Sequence, residues 1–291
     1  MFLPGRQITQ PVNSSQEGMN PIEVKHPTSY PELNAILHEL VTSVQTILID
    51  NFIAAYLQGS FAVGDSDEYS DVDFIVAIEH DISEADLPAL QTMHARIYSL
   101  DSNWAKHLDG SYFPKEILKR GDPINRKLLY LDNTSKELIR SNHDNTLVVR
   151  WVVRECGITL AGPDPDELID RISEEDLRQE ILTTMQDWAE QIFADPEQMN
   201  NRWYQPFAVL SYCRMLHTLQ TGKVQSKPMG AQWAKIMLDS KWTGLIQRAW
   251  EERPNPTLKG RQQADPADFT STLEFIRYAL TESSKYNKSI D

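Results

Sequence analysis

The residues that could do chemistry are concentrated in Gly59–Ile78, which runs Gly-Ser-Phe-Ala-Val-Gly-Asp-Ser-Asp-Glu-Tyr-Ser-Asp-Val-Asp-Phe-Ile-Val-Ala-Ile. An apolar run, Phe52–Leu57, enters a Gly59-Ser60 turn, and a polar spacer leads to a second apolar run, Val72–Ile78, with Asp71 and Asp73 at its start. Side chains alternate along a strand, so Asp71 and Asp73 share a face. Two like charges at the mouth of a buried strand repel each other and resist desolvation. A divalent cation would relieve both problems, and Mg²⁺ favours a few carboxylates completed by phosphate oxygens. The Gly59-Ser60 turn would add a hydroxyl and backbone N–H groups suited to phosphate. Either half alone is ordinary turn chemistry; the combination between two apolar strands is specific.

The elements that must position these residues follow from periodicity. Ser29–Asp50 has Leu33, Ile36, Leu37, Leu40, Val44 and Ile47 at helical spacing. Phe52–Leu57 and Val72–Ile78 are expected strands, joined by a polar, exposed loop over Asp65–Tyr69. A helix over Glu84–Leu100 would carry the chain to a further strand, Trp104–Phe113, which contains Asp109. Asp109-Gly110 also fits a hairpin turn. Gly121-Asp122-Pro123 is an expected turn, and Asn145–Cys156 an expected helix with Asn145 as its cap. Gly162-Pro163-Asp164-Pro165 is the clearest break in the chain. Beyond it the pattern is helical: Glu174–Phe193, Tyr204–Gln220, a helix capped by Ser226, Lys241–Trp250 and a last helix capped by Asp265, with a loop over Glu251–Gln263.

Composition narrows the class. The 291 residues carry a net charge of −14. They show no basic footprint of the kind a nucleic-acid-gripping protein displays, whereas an acidic cleft would attract a polycationic small molecule. Cys156 and Cys213 lack metal-ligand spacing and are expected to be reduced core residues of a cytoplasmic protein. No apolar stretch is long enough to span a membrane. The first residues, polar and rich in Pro, Gly, Gln and Ser, are expected to form a flexible tail.

The Gly-Ser, spacer, Ser-Asp-x-Asp pattern resembles the signature of the nucleotidyltransferase superfamily that includes DNA polymerase β. The chain as a whole resembles the streptomycin/spectinomycin adenylyltransferases. Further carriers of that resemblance are Leu108-Asp109-Gly110-Ser111-Tyr112-Phe113, the Gly157–Pro163 junction, and Thr221-Gly222-Lys223-Val224-Gln225-Ser226-Lys227 followed by Trp233-Ala234. The resemblance implies an enzyme that moves AMP from ATP to a hydroxyl of a small, polycationic acceptor such as an aminoglycoside. It implies Gly59, Ser60 and Ser70 near the nucleotide phosphates, Asp71 and Asp73 as Mg²⁺ ligands, and Arg214 and Lys227 on the triphosphate. Asp109, which stands where those relatives carry Glu, is implied as general base or third metal ligand. Trp188 matches an acceptor-stacking Trp, and Asp195 is the nearest candidate for an acceptor-binding acid, with Glu190 and Glu197 as alternatives. A nucleotide-contacting acid of the relatives falls on Asn145, beside Asp144.

The expected fold class is α+β, with a nucleotidyltransferase domain (a mixed sheet with helices) over residues 29–170 after a tail over 1–28. A helical C-terminal domain would span 171–291. The expected partners are ATP and a small-molecule acceptor, with no nucleic acid and no membrane, and the expected state is a monomer. The rival readings are the same chemistry on another metabolite or on a protein hydroxyl, and a catalytically silent nucleotide-binding or antitoxin-like protein.

Overall fold

In the computed structural model, which describes residues 26–120, 126–253 and 259–287, helix α1 (Pro31–Leu48) leads into strand β1 (Phe52–Leu57). A one-turn helix α2 (Gly59–Val63) and the Asp65–Ser70 loop connect it to β2 (Val72–Ile78). Helix α3 (Leu87–Tyr98) then crosses to β3 (Leu108–Pro114), so that β2 and β3 are parallel. Such a pair needs a crossover of this kind, because parallel strands cannot be joined by a tight turn. Helix α4 (Lys115–Arg120), β4 (Leu128–Leu131), β5 (Leu138–Ser141), α5 (Leu147–Cys156) and β6 (Ile158–Ala161) complete a six-stranded sheet in the order β5-β4-β3-β2-β1-β6. All its other pairings are antiparallel.

Strand alternation sorts the sheet into two faces. Val72, Phe74, Val76 and Ile78 of β2 pack with the apolar stripes of α1 and α3. The opposite face carries Ile75 and Ala77 of β2, Phe113 of β3 and Leu128 of β4, covered by Val153 of α5 and Leu118 of α4. By the same alternation Asp73 and Asp109 belong to this second face, and the parallel register sets them directly beside each other.

The short helix α6 (Pro165–Leu168) marks the break at Gly162-Pro163. Helices α7 (Glu174–Ala194), α8 (Tyr204–Thr221), α9 (Lys227–Met237), α10 (Thr243–Glu252) and α11 (Pro266–Ser283) follow. Helix α8 is apolar nearly all round and is buried at the centre of this bundle, with α7, α9, α10 and α11 packed about it. A small cluster of Val152, Leu177 and Val224, with Ala62 and Val63 against it, joins the bundle to α5 and α2. Glu180 of α7 makes the polar link: its carboxylate accepts from Leu147 N at 2.7 Å and Val148 N at 2.9 Å, capping α5 from the other half of the chain.

The architecture is the expected α+β arrangement with a helical C-terminal half. Several local readings change. Strand β3 begins at Leu108, because Trp104–Lys106 form a 3₁₀ turn that buries Trp104. Asp109-Gly110 lies inside a strand paired on both sides and is not a hairpin turn. Gly59-Ser60 opens a helical turn. Thr146, not Asn145, caps α5, its hydroxyl accepting from Val149 N at 3.1 Å. The four-residue strands β5 and β6 have no sequence signal, since half-exposed edge strands of that length carry no strong alternation. Helix α10 starts at Thr243 and runs to Glu252, so the expected loop is shorter at its start. Most of the expected tail and the Gly121-Asp122-Pro123 turn lie outside the described residues. No described helix is long and apolar enough to cross a membrane.

Gly110 allows β2 and β3 to approach: a Cβ there would stand 2.1 Å from the Phe74 carbonyl oxygen and 2.7 Å from the Phe74 ring. Backbone cannot yield as a flexible side chain does. Gly110→Ala is therefore expected to destabilise the fold by about 1–3 kcal/mol, as overpacking does, measurable as a lowered urea midpoint. An unchanged midpoint would show that the strand pair is not this tightly set.

Candidate active site

Four carboxylates gather at the second face of the sheet. Asp71 and Asp73 come from the start of β2, and Asp109 from the neighbouring position of β3. The fourth, Asp144, lies in the segment before α5, only 5 % exposed, and accepts from Ser111 Oγ at 2.7 Å. Ser111 is two residues beyond Asp109 and so on the same face. The electrostatics register the crowding. Burial, then Asp71 and Asp144, push the Asp73 carboxyl up to about 7. Burial, then Asp73 and Asp144, push Asp109 up to about 8, against a lowering hydrogen bond from Tyr130. Asp144 is raised by burial, with Ser111 and His143 opposing. Asp71 keeps 46 % of its side chain exposed, yet protein hems it in enough that burial raises it too, opposed first by Lys227.

The helical half supplies the opposite charge. Arg214 of α8 and Lys227 at the start of α9 both act on Asp73 and Asp65. Gly230 makes this approach close, since a Cβ there would stand 2.9 Å from Arg214 Cα. Burial holds both cations below their ordinary values, with the acids opposing. Arg253, just after α10, pairs with Asp67 and lies near Asp65. The Asp65–Tyr69 loop is thus not simply exposed. Asp65 and Asp67 are half-buried and face the cations of the other half of the chain.

Each sequence-predicted residue can now be placed. Gly59, at φ +61°, packs on Asp73 so closely that a Cβ would stand 1.9 Å from its Oδ2. The buried Ser60 hydroxyl has no hydrogen-bond partner, an arrangement that calls for an outside group. Ser70 instead fastens its own loop: its Oγ accepts from Asp67 N at 2.9 Å and donates to Asp67 Oδ1 at 3.2 Å. Asp71, Asp73, Asp109, Arg214 and Lys227 are brought together. Trp188 is partly buried in the bundle, stacked on Tyr212 with centroids 5.2 Å apart, and its N–H donates to Tyr204 Oη at 2.7 Å. Phe207 touches its edge, and the Lys227 ammonium lies 5.2 Å above the Phe207 ring, which ties Trp188 to the charged cluster. Asp195 is not drawn in. It is exposed at the C-terminal end of α7 and accepts from Gln198 at 2.7 Å, roughly 10 Å along the helix beyond Trp188. Asn145 is structural: it donates to the Arg126 carbonyl at 3.0 Å and accepts from the buried Arg150.

Sequence reasoning missed Asp144, Asp65, Asp67, Arg253, His107, Tyr130 and Asn133. No local pattern marks them, because the fold alone brings them to the acids. Asp144 came nearest to being seen, as the acid beside the position where relatives carry one.

Among the described residues no three His, Cys, Asp or Glu side chains converge closely enough to hold a metal ion by themselves. Mg²⁺ does not need such a cage, since one or two carboxylates suffice when substrate phosphates complete the octahedron. The donor set fits that mode: hard oxygens raised in pKa by burial and, at Asp73 and Asp109, by neighbouring acids, a partnerless hydroxyl at Ser60, and cations opposite.

Comparison with known proteins decides the relationship. Residues 167–280 match the family described as aminoglycoside adenylyltransferase, C-terminal domain. This chain is similar to the aminoglycoside adenylyltransferases. It is 21 % identical over 263 residues to the aminoglycoside (3'') (9) adenylyltransferase of Shigella flexneri, covering 87 % of this chain and 96 % of that protein. It is 24 % identical over 214 residues to a spectinomycin 9-adenylyltransferase of Staphylococcus aureus, covering 70 % and 78 %. The spectinomycin adenyltransferase AAD(9) of Enterococcus faecialis, solved with ATP and spectinomycin, superposes with a TM-score of 0.61 at 16 % identity, covering 86 % of this chain and 98 % of that one. The resemblance read from the motifs thus holds over most of the chain, and the adenyltransferase fold is shared.

The crowding has a consequence for stability. Asp73 and Asp109 keep their protons in the folded chain up to about pH 7 and pH 8, but lose them near pH 4 when unfolded. Between those limits the folded state binds more protons, so stability falls as pH rises. Without divalent cations, Tm is expected to be lower at pH 8.5 than at pH 5.5. Asp109→Asn should reduce that fall and raise Tm at pH 8.5. An Asp109→Asn variant less stable than wild type at pH 8.5 would contradict the crowding.

Proposed function

We propose that this chain transfers AMP from ATP to a hydroxyl of a small polycationic molecule, an aminoglycoside such as streptomycin or spectinomycin, releasing pyrophosphate. The observation that carries the reading is the pairing of Asp73 with Asp109 across parallel strands, with Asp71 alongside and Arg214 and Lys227 facing them. The similarity to adenylyltransferases, over 87 % of this chain and 96 % of the Shigella flexneri protein, supports it. Asp71 and Asp73 would hold Mg²⁺, which when bound polarises phosphate oxygens and offsets developing negative charge.

The chain's own residues supply the rest. Gly59 and the partnerless Ser60 hydroxyl line the phosphate side, while Ser70, bonded to Asp67, holds the loop beside them. Arg214 and Lys227, with Arg253 behind them, neutralise the triphosphate and steady the departing pyrophosphate. Asp109 takes the proton of the acceptor hydroxyl. Burial and the neighbouring acids keep its proton on up to about pH 8 in the cation-free chain, and a bound cation would lower that value and free the carboxylate to accept a proton near neutral pH. Tyr130, whose phenol donates to Asp132 Oδ1 at 3.1 Å, stands beside Asp109 on the neighbouring strand and favours its charged form.

The net charge of −14 and the surplus of carboxylates favour a cationic acceptor. Trp188, stacked and bonded within the bundle, would shape the acceptor side through its edge. Asp195, exposed beyond it, contributes only if the acceptor extends that far. One chain supplies every residue invoked, so a monomer suffices, and the two free cysteines suit the cytoplasm.

The test is pyrophosphate release from ATP with Mg²⁺ across an aminoglycoside panel. Release with streptomycin or spectinomycin is expected, and it should fall to background in an Asp71→Asn, Asp73→Asn double variant. Asp109→Asn is expected to lower kcat by about 10²–10⁴-fold, the range of general-base removal, with little change in KM for ATP. Tight ATP binding with no release on any acceptor would overturn the drug-modifying reading. An unchanged kcat in Asp109→Asn would remove Asp109 from the base role.

A further inference from the structure

The turn after β4 holds a residue in a conformation that its type disfavours. Thr134 has φ +63°, a left-handed backbone that a β-branched side chain adopts only when the surroundings over-determine it. Thr134 is exposed, so its side-chain packing does not impose this. What pins the turn is the bond from Thr134 N to the Lys106 carbonyl at 3.1 Å, which ties it to the segment just ahead of β3. The result is that Asn133 stands between His107 and Asp71. Its Nδ2 donates to Asp71 Oδ1 at 2.6 Å, and its Oδ1 lies 3.0 Å from His107 Nδ1.

The donor and acceptor roles here are forced. An ionised carboxylate only accepts, so the amide must present its NH₂ to Asp71 and its carbonyl to His107. His107 must then carry its proton on Nδ1, which fixes the tautomer and locks the amide against a flip. His107 Nδ1 is itself 3.8 Å from Asp71 Oδ1. The relay engages one oxygen of Asp71 and leaves Oδ2 as the oxygen open to a cation. Partners of this kind, behind a ligand rather than on the metal, set ligand orientation in metal sites generally.

We propose that Asn133, locked by His107 and by the strained Thr134 turn, is a positioning residue that presents the Asp71 carboxylate to the divalent cation. The inference rests on the reading of Asp71 as a cation ligand given above. A residue so placed acts on cation affinity, and only through it on turnover; it does not touch the nucleotide.

The experiment is Mn²⁺ binding in the presence of a non-hydrolysable ATP analogue, followed by electron paramagnetic resonance, on wild type, Asn133→Leu and His107→Phe. Analogue affinity in EDTA and Tm are measured alongside. Asn133→Leu is nearly isosteric and removes both hydrogen bonds. It is expected to weaken Mn²⁺ binding by about tenfold, the lower end of effects for such partners, with analogue affinity in EDTA and Tm unchanged. His107→Phe leaves the amide in place but unlocked, and a smaller loss in the same direction is expected. It also keeps the link testable should Asn133→Leu not fold. Mn²⁺ affinity within twofold of wild type in a folded variant would overturn the proposal while leaving the nucleotidyltransferase reading intact. Absence of Mn²⁺ binding by wild type itself would bring both down.

Discussion

Repulsion among carboxylates on one face of two parallel strands is the constraint on which the rest of the molecule depends. Asp73 and Asp109 are adjacent by register, Asp71 lies one alternation away, and Asp144 closes the cluster from the segment before α5. Such a group is unfavourable in isolation, and its raised pKa values express that. It is held because what surrounds it is built for other reasons: the apolar second face of the sheet, the Gly110 approach of β2 to β3, and the cap that Glu180 places on α5. The helical half answers the charge with Arg214, Lys227 and Arg253. The two halves of the chain are therefore complementary in charge as well as packed together.

That complementarity connects fold to function. A bundle built around α8 half-buries Arg214 on a largely apolar helix, where a lone cation would be costly without acids opposite. Lys227 follows the N-cap Ser226 and so is fixed at a helix start instead of lying on a free surface. Substrate phosphates and a divalent cation would slot between charges already arranged, which lowers the reorganisation needed at the moment of reaction.

Much of this was legible in the sequence because it is local. The Gly-Ser and Asp-x-Asp elements lie within one strand-turn-strand unit, and strand alternation alone sets Asp71 and Asp73 on one face. Asp109 needed the crossover helix to be read correctly, and Arg214 and Lys227 needed the resemblance, since a lone cation on a helix has no signature. Asp144, Arg253, Asn133 and His107 were not legible. Each sits in a loop or at an element's end, and each acquires meaning only from a partner 26 to 186 residues away. Asp195 was misleading for the converse reason: proximity in sequence to Trp188 does not bring it to the acids when it stands exposed, two turns further along a helix whose buried face, with Ala189 and Ile192, points into the bundle.

The account stands or falls on whether the carboxylate cluster is relieved by a cation together with nucleotide. The most direct measurement is calorimetric titration of the preformed Mg²⁺ complex of a non-hydrolysable ATP analogue at pH 7, in two buffers of different ionisation enthalpy. Binding should expel protons from the crowded acids, giving a net proton release that is lost in the Asp71→Asn, Asp73→Asn variant. Binding without proton release in wild type, or with the same release in that variant, would contradict the account.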